Sequence, residues 1–147
     1  MSAERDVIMT LEQLQINSRN YAKALARLGQ VLGKDLATDD AYLDATIQRF
    51  EFTFDLAWKL MKAHLAYEGF EANSPRSSIR EGFKTQLVED AAAWLDMLEQ
   101  RNLAAHTYDE KMAEKLYRRI KEDFFPLLAQ FKSVMEKRLQ AEEGNCT

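Results

Sequence analysis

Apolar residues recur at spacings of three and four over most of this chain, which is the period of one buried face of an α-helix. One series runs from Leu11 to Leu32, with the small polar Ser18 inside it. A second series lies between Asp40 and Glu68, and a third runs from Met112 to Met135. Sheet-rich folds need frequent turns, whereas this chain has only 5 glycines and 2 prolines. The sequence therefore predicts an all-α protein.

Capping and breaking signals set the expected ends of the helices. The expected helices occupy about residues 10–32, 40–68, 75–84 and 90–102, with a last long helix from 107 onward. The last helix has the clearest start, because Thr107 and Glu110 have the spacing of a capping box. Ser74-Pro75 similarly supplies a cap and a proline at the first position of the short helix.

Pro126 should kink the last helix, because proline lacks a backbone N–H and clashes one turn back. Beyond about Leu139 the tail, residues 140–147, should be frayed. The connections are short, so neighbouring helices should run antiparallel. We therefore expect one domain over residues 1–147, with its core at about 10–138. Its fold would be an antiparallel up-and-down four-helix bundle with an additional short helix.

Composition excludes several classes of protein. No apolar run approaches the roughly 18 residues of a membrane span, so we expect no membrane contact. The only cysteine is Cys146, which leaves no disulfide framework within one chain, so we expect a cytoplasmic protein. The net charge is −4, whereas a protein that binds nucleic acid through its overall charge is usually basic. Two histidines in unrelated contexts give no zinc pattern, and no glycine loop cradles a phosphate, so we expect no metal and no cofactor.

The segment Arg101–Tyr108 is the best candidate for chemistry. If Thr107 caps the last helix, the turn before it could bring Arg101 and His106 to the same side. Arginine can hold a phosphate through parallel hydrogen bonds, and histidine titrates near neutral pH, where it can act as general acid or base. RNA cleavage by 2′-hydroxyl attack commonly uses both an acid and a base. A symmetric dimer would supply the second histidine.

The same spacing also has a purely structural explanation. An arginine near a helix C-terminus is favoured by the helix dipole alone, and a histidine before a cap is unremarkable. An arginine and a histidine five residues apart will occur by chance in many helical proteins. The spacing alone therefore leaves both explanations open.

The residues of this segment, Arg101-Asn102-Leu103-Ala104-Ala105-His106-Thr107-Tyr108, resemble the R-x4-H-x-Y signature of HepT-type proteins in the HEPN superfamily. The stretch Arg49–Lys59 resembles the second helix of the nucleotidyltransferase substrate-binding branch of that group. Ser74-Pro75-Arg76 followed by Arg80-Glu81-Gly82-Phe83 resembles the segment after that helix. The likeness covers roughly residues 10–138.

This resemblance implies a helical bundle that forms a homodimer, with the motifs facing a shared cleft, and a minimal nucleotidyltransferase encoded by a neighbouring gene. It implies a metal-independent ribonuclease toxin of a toxin–antitoxin pair, with an RNA substrate for which tRNA is one candidate. Arg101 and His106 would be catalytic and Asn102 would support them. The partner would neutralise the toxin by adding adenylyl groups to Tyr108. The alternative is a non-catalytic subunit that presents a substrate or nucleotide to the transferase.

Other residues have weaker claims. Glu51, Trp58 and Lys59 could line the cleft. The alternative is that Trp58 belongs to the core, which we favour, and that the two charged side chains are only solvated. Arg76 and Arg80 share a helical face and could guide a phosphate backbone, although an exposed basic face explains them equally well. His64 lies among apolar residues in mid-helix and is expected to be structural or partly exposed.

Overall fold

The computed structural model describes residues 9–106 and 109–145, without the side chains of His106 and Asn145. Six α-helices and one π-helical turn follow each other along this part of the chain. They are α1 (Leu11–Leu32), α2 (Ala41–Tyr67), α3 (Pro75–Lys84), α4 (Ala91–His106), α5 (Glu110–Arg119), the π-helical turn Ile120–Phe124 and α6 (Phe125–Asn145). The described ranges contain no strand, so the prediction of an all-α fold is confirmed. None of the described helices is both long and apolar enough to cross a membrane.

Side-chain contacts show how the long helices run. Arg49 Nη1 donates to the carbonyl of Arg27 at 2.8 Å, and Thr53 Oγ1 donates to that of Ala24 at 3.3 Å. Later residues of α2 thus meet earlier residues of α1, so the two helices are antiparallel. The Tyr21 hydroxyl donates to the carbonyl of Leu128, which ties α1 to α6.

Helix α2 is the centre of the bundle. It packs against α1, α3, α4, α5 and α6. Phe50 and Phe54 on this helix are completely buried and begin an aromatic core that reaches other segments of the chain. Phe50 stacks on Phe124 with ring centroids 5.6 Å apart, and Phe54 lies 6.3 Å from Trp94. A helix that is apolar around so much of its surface is expected either at the centre of the bundle or at an oligomer interface, and these contacts place α2 at the centre.

The last helix differs from the prediction at its start. Asp109 is the N-cap of α5, and its carboxylate accepts from the backbone N–H of Lys111 at 2.9 Å. The prediction that Thr107 is the cap is therefore wrong. Helix α4 continues to His106, and the cap of α5 falls two residues later than predicted. Thr107 and Tyr108 lie outside the described residues.

The last helix is also interrupted. The π-helical turn Ile120–Phe124 precedes Pro126, the residue at which a kink was expected, and the Phe125 N–H bonds to the carbonyl of Ile120. A π-helical turn holds extra backbone relative to an α-helix and shifts the side chains that follow it. Leu128 is buried, whereas Leu127, which the spacing of the third apolar series places on the buried face, is only partly buried. Phe131 and Met135 of that series are buried as predicted.

The C-terminal tail is helical further than expected. Helix α6 runs to Asn145, past the point near Leu139 at which fraying was predicted. Two side chains from other helices hold it. Gln15 of α1 donates to Glu143, and the Tyr67 hydroxyl at the end of α2 donates to Glu142.

Candidate functional site

Arg101 is held by an ion pair to the central helix. Its Nη2 donates to Asp55 Oδ2 of α2 at 2.9 Å, and both side chains are about two-thirds buried or more. This bond uses one of the five N–H groups of the guanidinium. Its Nε is buried and has no acceptor among the described residues. The arginine of the motif is thus fixed in place while it keeps bonding capacity for an anion.

Glu51 extends this cluster by one turn of α2. Burial raises the pKa of the Glu51 carboxyl, the positive charge of Arg101 opposes that rise, and the negative charge of Asp55 adds to it. Residues four apart on a helix share a face, so Glu51, Asp55 and Lys59 form one polar row. The row lies where α2 approaches α4.

A cavity of about 240 Å³ opens on one side of the ion pair. We call it the Arg101 cavity. Its walls come from α2, from α4 and from the start of α3. Its lining residues are Phe54, Asp55, Trp58, Lys59, Pro75, Leu98, Arg101 and Asn102. Two cationic side chains and one carboxylate therefore surround this space, together with apolar walls.

A second cavity, of about 360 Å³, lies on the other side, between α2, α4 and α5. We call it the acidic cavity. Its lining residues are Asp44, Ile47, Gln48, Glu51, Gln100, Leu103, Ala104, Asp109, Met112, Ala113 and Leu116. Three of these carry a carboxyl group, and no lysine or arginine is among them. The two cavities thus differ in the sign of their charge, and Coulomb repulsion disfavours a phosphate in the acidic one.

The structure brings together only some of the predicted site residues. Asn102 is exposed and lines the Arg101 cavity with Lys59, whereas Glu51 lines the acidic cavity. Arg76 and Arg80 are exposed on α3 and line neither cavity. The side chain of His106 and all of Tyr108 lie outside the described residues.

The backbone of α4 corrects the expected relation between Arg101 and His106. A turn between them was expected to bring the two side chains to the same side, but both residues belong to α4. Residues five apart on a helix point about 140° from each other around its axis. The backbone of one chain therefore places Arg101 and His106 at different positions around the α4 axis, without the expected turn between them.

Comparison with known proteins identifies the family. Residues 16–137 match a family model described as nucleotidyltransferase substrate binding protein like. The chain belongs to this family. It is 29% identical over 122 residues to the probable ribonuclease HepT of Haemophilus influenzae, in a match that covers 78% of this chain and 77% of that protein. The resemblance to HepT-like proteins is thus confirmed.

Solved structures agree with this assignment. A crystal structure from Thermus thermophilus is 35% identical to this HepT-like protein, with a TM-score of 0.66, and the match covers 81% of this chain and 98% of the other. A Haemophilus influenzae structure, described as revealing the fold of a substrate binding domain of a nucleotidyltransferase, is 22% identical with a TM-score of 0.62. That match covers 86% of this chain and 99% of the other, and at this identity it supports the fold alone.

The structure adds Asp55 to the candidate site and gives Trp58 a different position from the one favoured from sequence. Asp55, the partner of Arg101, was not singled out, although its place midway between Glu51 and Lys59 was a usable signal. For Trp58 a position in the core was favoured over a position in the cleft. It packs against the core with part of its ring, but it is partly exposed and lines the Arg101 cavity. Helical spacing could not decide between the core and the cavity wall for Trp58, because this residue lies at the edge of the buried face of α2.

Proposed function

We propose that this HepT-like protein is a metal-independent ribonuclease toxin and that Arg101 binds the scissile phosphate. The observation that carries the proposal is the fixed guanidinium of Arg101 at the Arg101 cavity, beside Lys59 and Asn102. Charge-assisted bonds from a preorganised arginine stabilise a phosphate as negative charge develops on it. The HepT-like family assignment makes RNA the expected source of that phosphate.

The reaction needs a proton acceptor and a proton donor. The RNA 2′-hydroxyl loses its proton to a base and attacks phosphorus. The bond from phosphorus to the 5′-oxygen breaks, and an acid protonates that oxygen. The products are a 2′,3′-cyclic phosphate and a 5′-hydroxyl end. A protonated and a neutral histidine serve these two roles near neutral pH.

A homodimer would supply both histidines, one His106 from each copy. The 140° divergence of Arg101 and His106 around α4 favours the same arrangement, since residues of two copies can converge where those of one helix do not. Asn102, next to Arg101 on the rim of the Arg101 cavity, would add a hydrogen bond to the phosphate. Arg76 and Arg80 would contact the RNA further along the strand, whereas Glu51 faces the acidic cavity, from which phosphates are repelled.

Control of the toxin would come from a minimal nucleotidyltransferase encoded nearby. That partner would adenylylate Tyr108, which lies two residues beyond His106 in the sequence. Each adenylyl group adds a phosphate charge and bulk next to the proposed phosphate site. Repulsion between this charge and the RNA backbone would then block binding.

The test uses the purified protein without its partner, in the presence of a chelator. Wild type should cleave RNA and leave 2′,3′-cyclic phosphate ends, and its expression should slow growth. His106→Ala and Arg101→Ala, checked for helix content by circular dichroism, should abolish both effects. A wild-type protein that neither cleaves RNA nor slows growth, and that His106→Ala does not alter, excludes the ribonuclease.

A second candidate is a non-catalytic subunit that presents a nucleotide or substrate to the transferase. The description of the matching family supports it, as does the small volume of the Arg101 cavity. It predicts a stable complex with the transferase and no cleavage by either protein. A transferase whose activity is the same with and without this chain would reject it.

A further inference from the structure

The two tryptophans of this protein have different surroundings. Trp94 is 2% exposed and packs between Phe54 and Phe131 in the aromatic core. Trp58 is partly exposed, and its indole forms part of the wall of the Arg101 cavity. An indole in a cavity wall offers a large flat surface, part of which is not packed against the core.

Lys59 places a positive charge beside this ring. Its Nζ lies 6.0 Å from the centroid of the Trp58 ring, at the outer limit of a cation–π contact. Lys59 is exposed and forms no ion pair with any residue in the described ranges. The ammonium group can therefore turn to a phosphate without losing a strong partner.

The Arg101 cavity thus combines an aromatic face with two cationic groups that can hold a phosphate. An aromatic side chain beside arginine and lysine is the combination that binds an unpaired nucleotide, because the base stacks while its backbone is neutralised. The acidic cavity on the other side of Arg101 lacks both features, since it has no aromatic residue and no cation in its lining.

The size of the Arg101 cavity limits what can enter. Its volume of about 240 Å³ is below the roughly 300–1,000 Å³ of pockets for drug-sized ligands. Space of this size can take a single base. A base can enter only if it is unstacked from its neighbours, which duplex RNA does not permit without disruption.

We infer that Trp58 is the stacking platform for an unpaired base next to the phosphate held by Arg101 and Lys59, so that the substrate class is single-stranded or loop RNA. This inference rests on the proposed ribonuclease function. It adds a specificity-determining residue and a preference that the motif alone does not specify. Pro75 at the start of α3 forms an apolar wall of the same cavity.

The test measures binding separately from cleavage. His106→Ala prevents cleavage, and in this background a short single-stranded RNA should quench tryptophan fluorescence while a duplex of the same sequence should not. Trp58→Ala should weaken binding about 5- to 150-fold, the range that base stacking on an aromatic ring supplies. Trp58→Phe should keep most of the affinity but lose the quenching. Met112→Ala, in the acidic cavity, is the matched control and should change neither.

Other results would reject the stacking platform, the RNA assignment or the ribonuclease. Equal affinity for duplex and single strand, or for Trp58→Ala and its parent, overturns the platform. If adenosine monophosphate alone binds as tightly as the RNA, the cavity serves a free nucleotide and the RNA assignment is wrong. Cleavage by wild type that Trp58→Ala leaves unchanged rejects the platform but keeps the ribonuclease. RNA binding through Trp58 without any cleavage by wild type keeps the platform and rejects the ribonuclease.

Discussion

The guanidinium of Arg101 and the carboxylate of Asp55, 46 residues apart in the sequence, are joined at 2.9 Å across the interface of α4 and α2. This contact anchors the motif arginine to the central helix of the bundle. Two cavities of opposite charge character are lined by the same two helices. The geometry of the candidate site therefore depends on the packing of α2 against α4 as much as on the motif itself.

Replacing Arg101 by lysine tests whether the planar guanidinium is needed as well as its charge. Lysine keeps the charge but cannot hold Asp55 and a phosphate in one rigid plane. We expect Arg101→Lys to lower kcat/KM for RNA cleavage at least about tenfold, since one lost charge-assisted bond has about that effect. Asp55→Asn, which retains the shape but weakens the anchor, should have a smaller effect. Full activity in Arg101→Lys would contradict the assigned role.

The cap at Asp109 gives a prediction about stability. Asp109→Ala removes the acceptor for the Lys111 N–H and should lower the free energy of unfolding by about 1 kcal/mol. In a chain of this length such a loss lowers Tm by about 2–4 °C. Thr107→Ala is the matched comparison and should change stability by less than about 0.5 kcal/mol. Thermal or denaturant unfolding checks both variants, and the opposite order would restore the cap to Thr107.

His64 should make stability depend on pH. Its side chain is 3% exposed, and Nδ1 lies 3.0 Å from Glu68 Oε1, although no described atom completes a well-aligned hydrogen bond to it. Burial lowers the pKa of His64, and Arg138 lowers it further. Glu68 and Glu142 raise this pKa but do not outweigh burial.

The lowered pKa of His64 determines how the stability changes with pH. Below about pH 6.5 an unfolded histidine takes up a proton that the folded one resists, so acid favours unfolding. The stability from neutral His64 is complete above this pH and is lost as the pH falls toward the lowered folded pKa. Denaturant unfolding at pH 7.5 and 5.5 should show a larger loss for wild type than for His64→Gln. A larger loss in the variant would mean that the attraction of Glu68 exceeds the cost of burial.

Adenylylation provides a separate prediction. Tyr108→Phe removes the acceptor hydroxyl, so mass spectrometry after incubation with the partner transferase and ATP should show no added adenylyl groups. Cleavage by the unmodified variant should stay close to that of wild type, because the hydroxyl has no part in the proposed proton transfers. Tyr117, buried on α5, is the matched control and should remain unmodified. Adenylylation of Tyr108→Phe to the wild-type level would assign the acceptor to another residue.

Local signals in the sequence predicted the helices well, but they predicted the end of α4 and the start of α5 poorly. The seam from Leu14 to Leu32 and the buried face of α2 follow the sequence period, because burial of one face is a repeating property. The cap of α5 was ambiguous, since Thr107 and Asp109 are both good capping residues. The length of α4 determines which of these two residues caps α5. The buried Leu128 was missed because Leu127 and Leu128 both fit the helical spacing between Phe124 and Phe131.

The all-α class, the order of the main helices and the family of the chain all follow from the order of its residues. Those features depend on spacing along the chain and on short motifs, which are local. Three features of the site instead emerge from the packed bundle: Asp55 anchors Arg101, Trp58 lines a cavity, and the Arg101 cavity and the acidic cavity differ in charge. These features depend on the rotation and register of α2 against α4, which the packing of the whole core sets rather than any one segment.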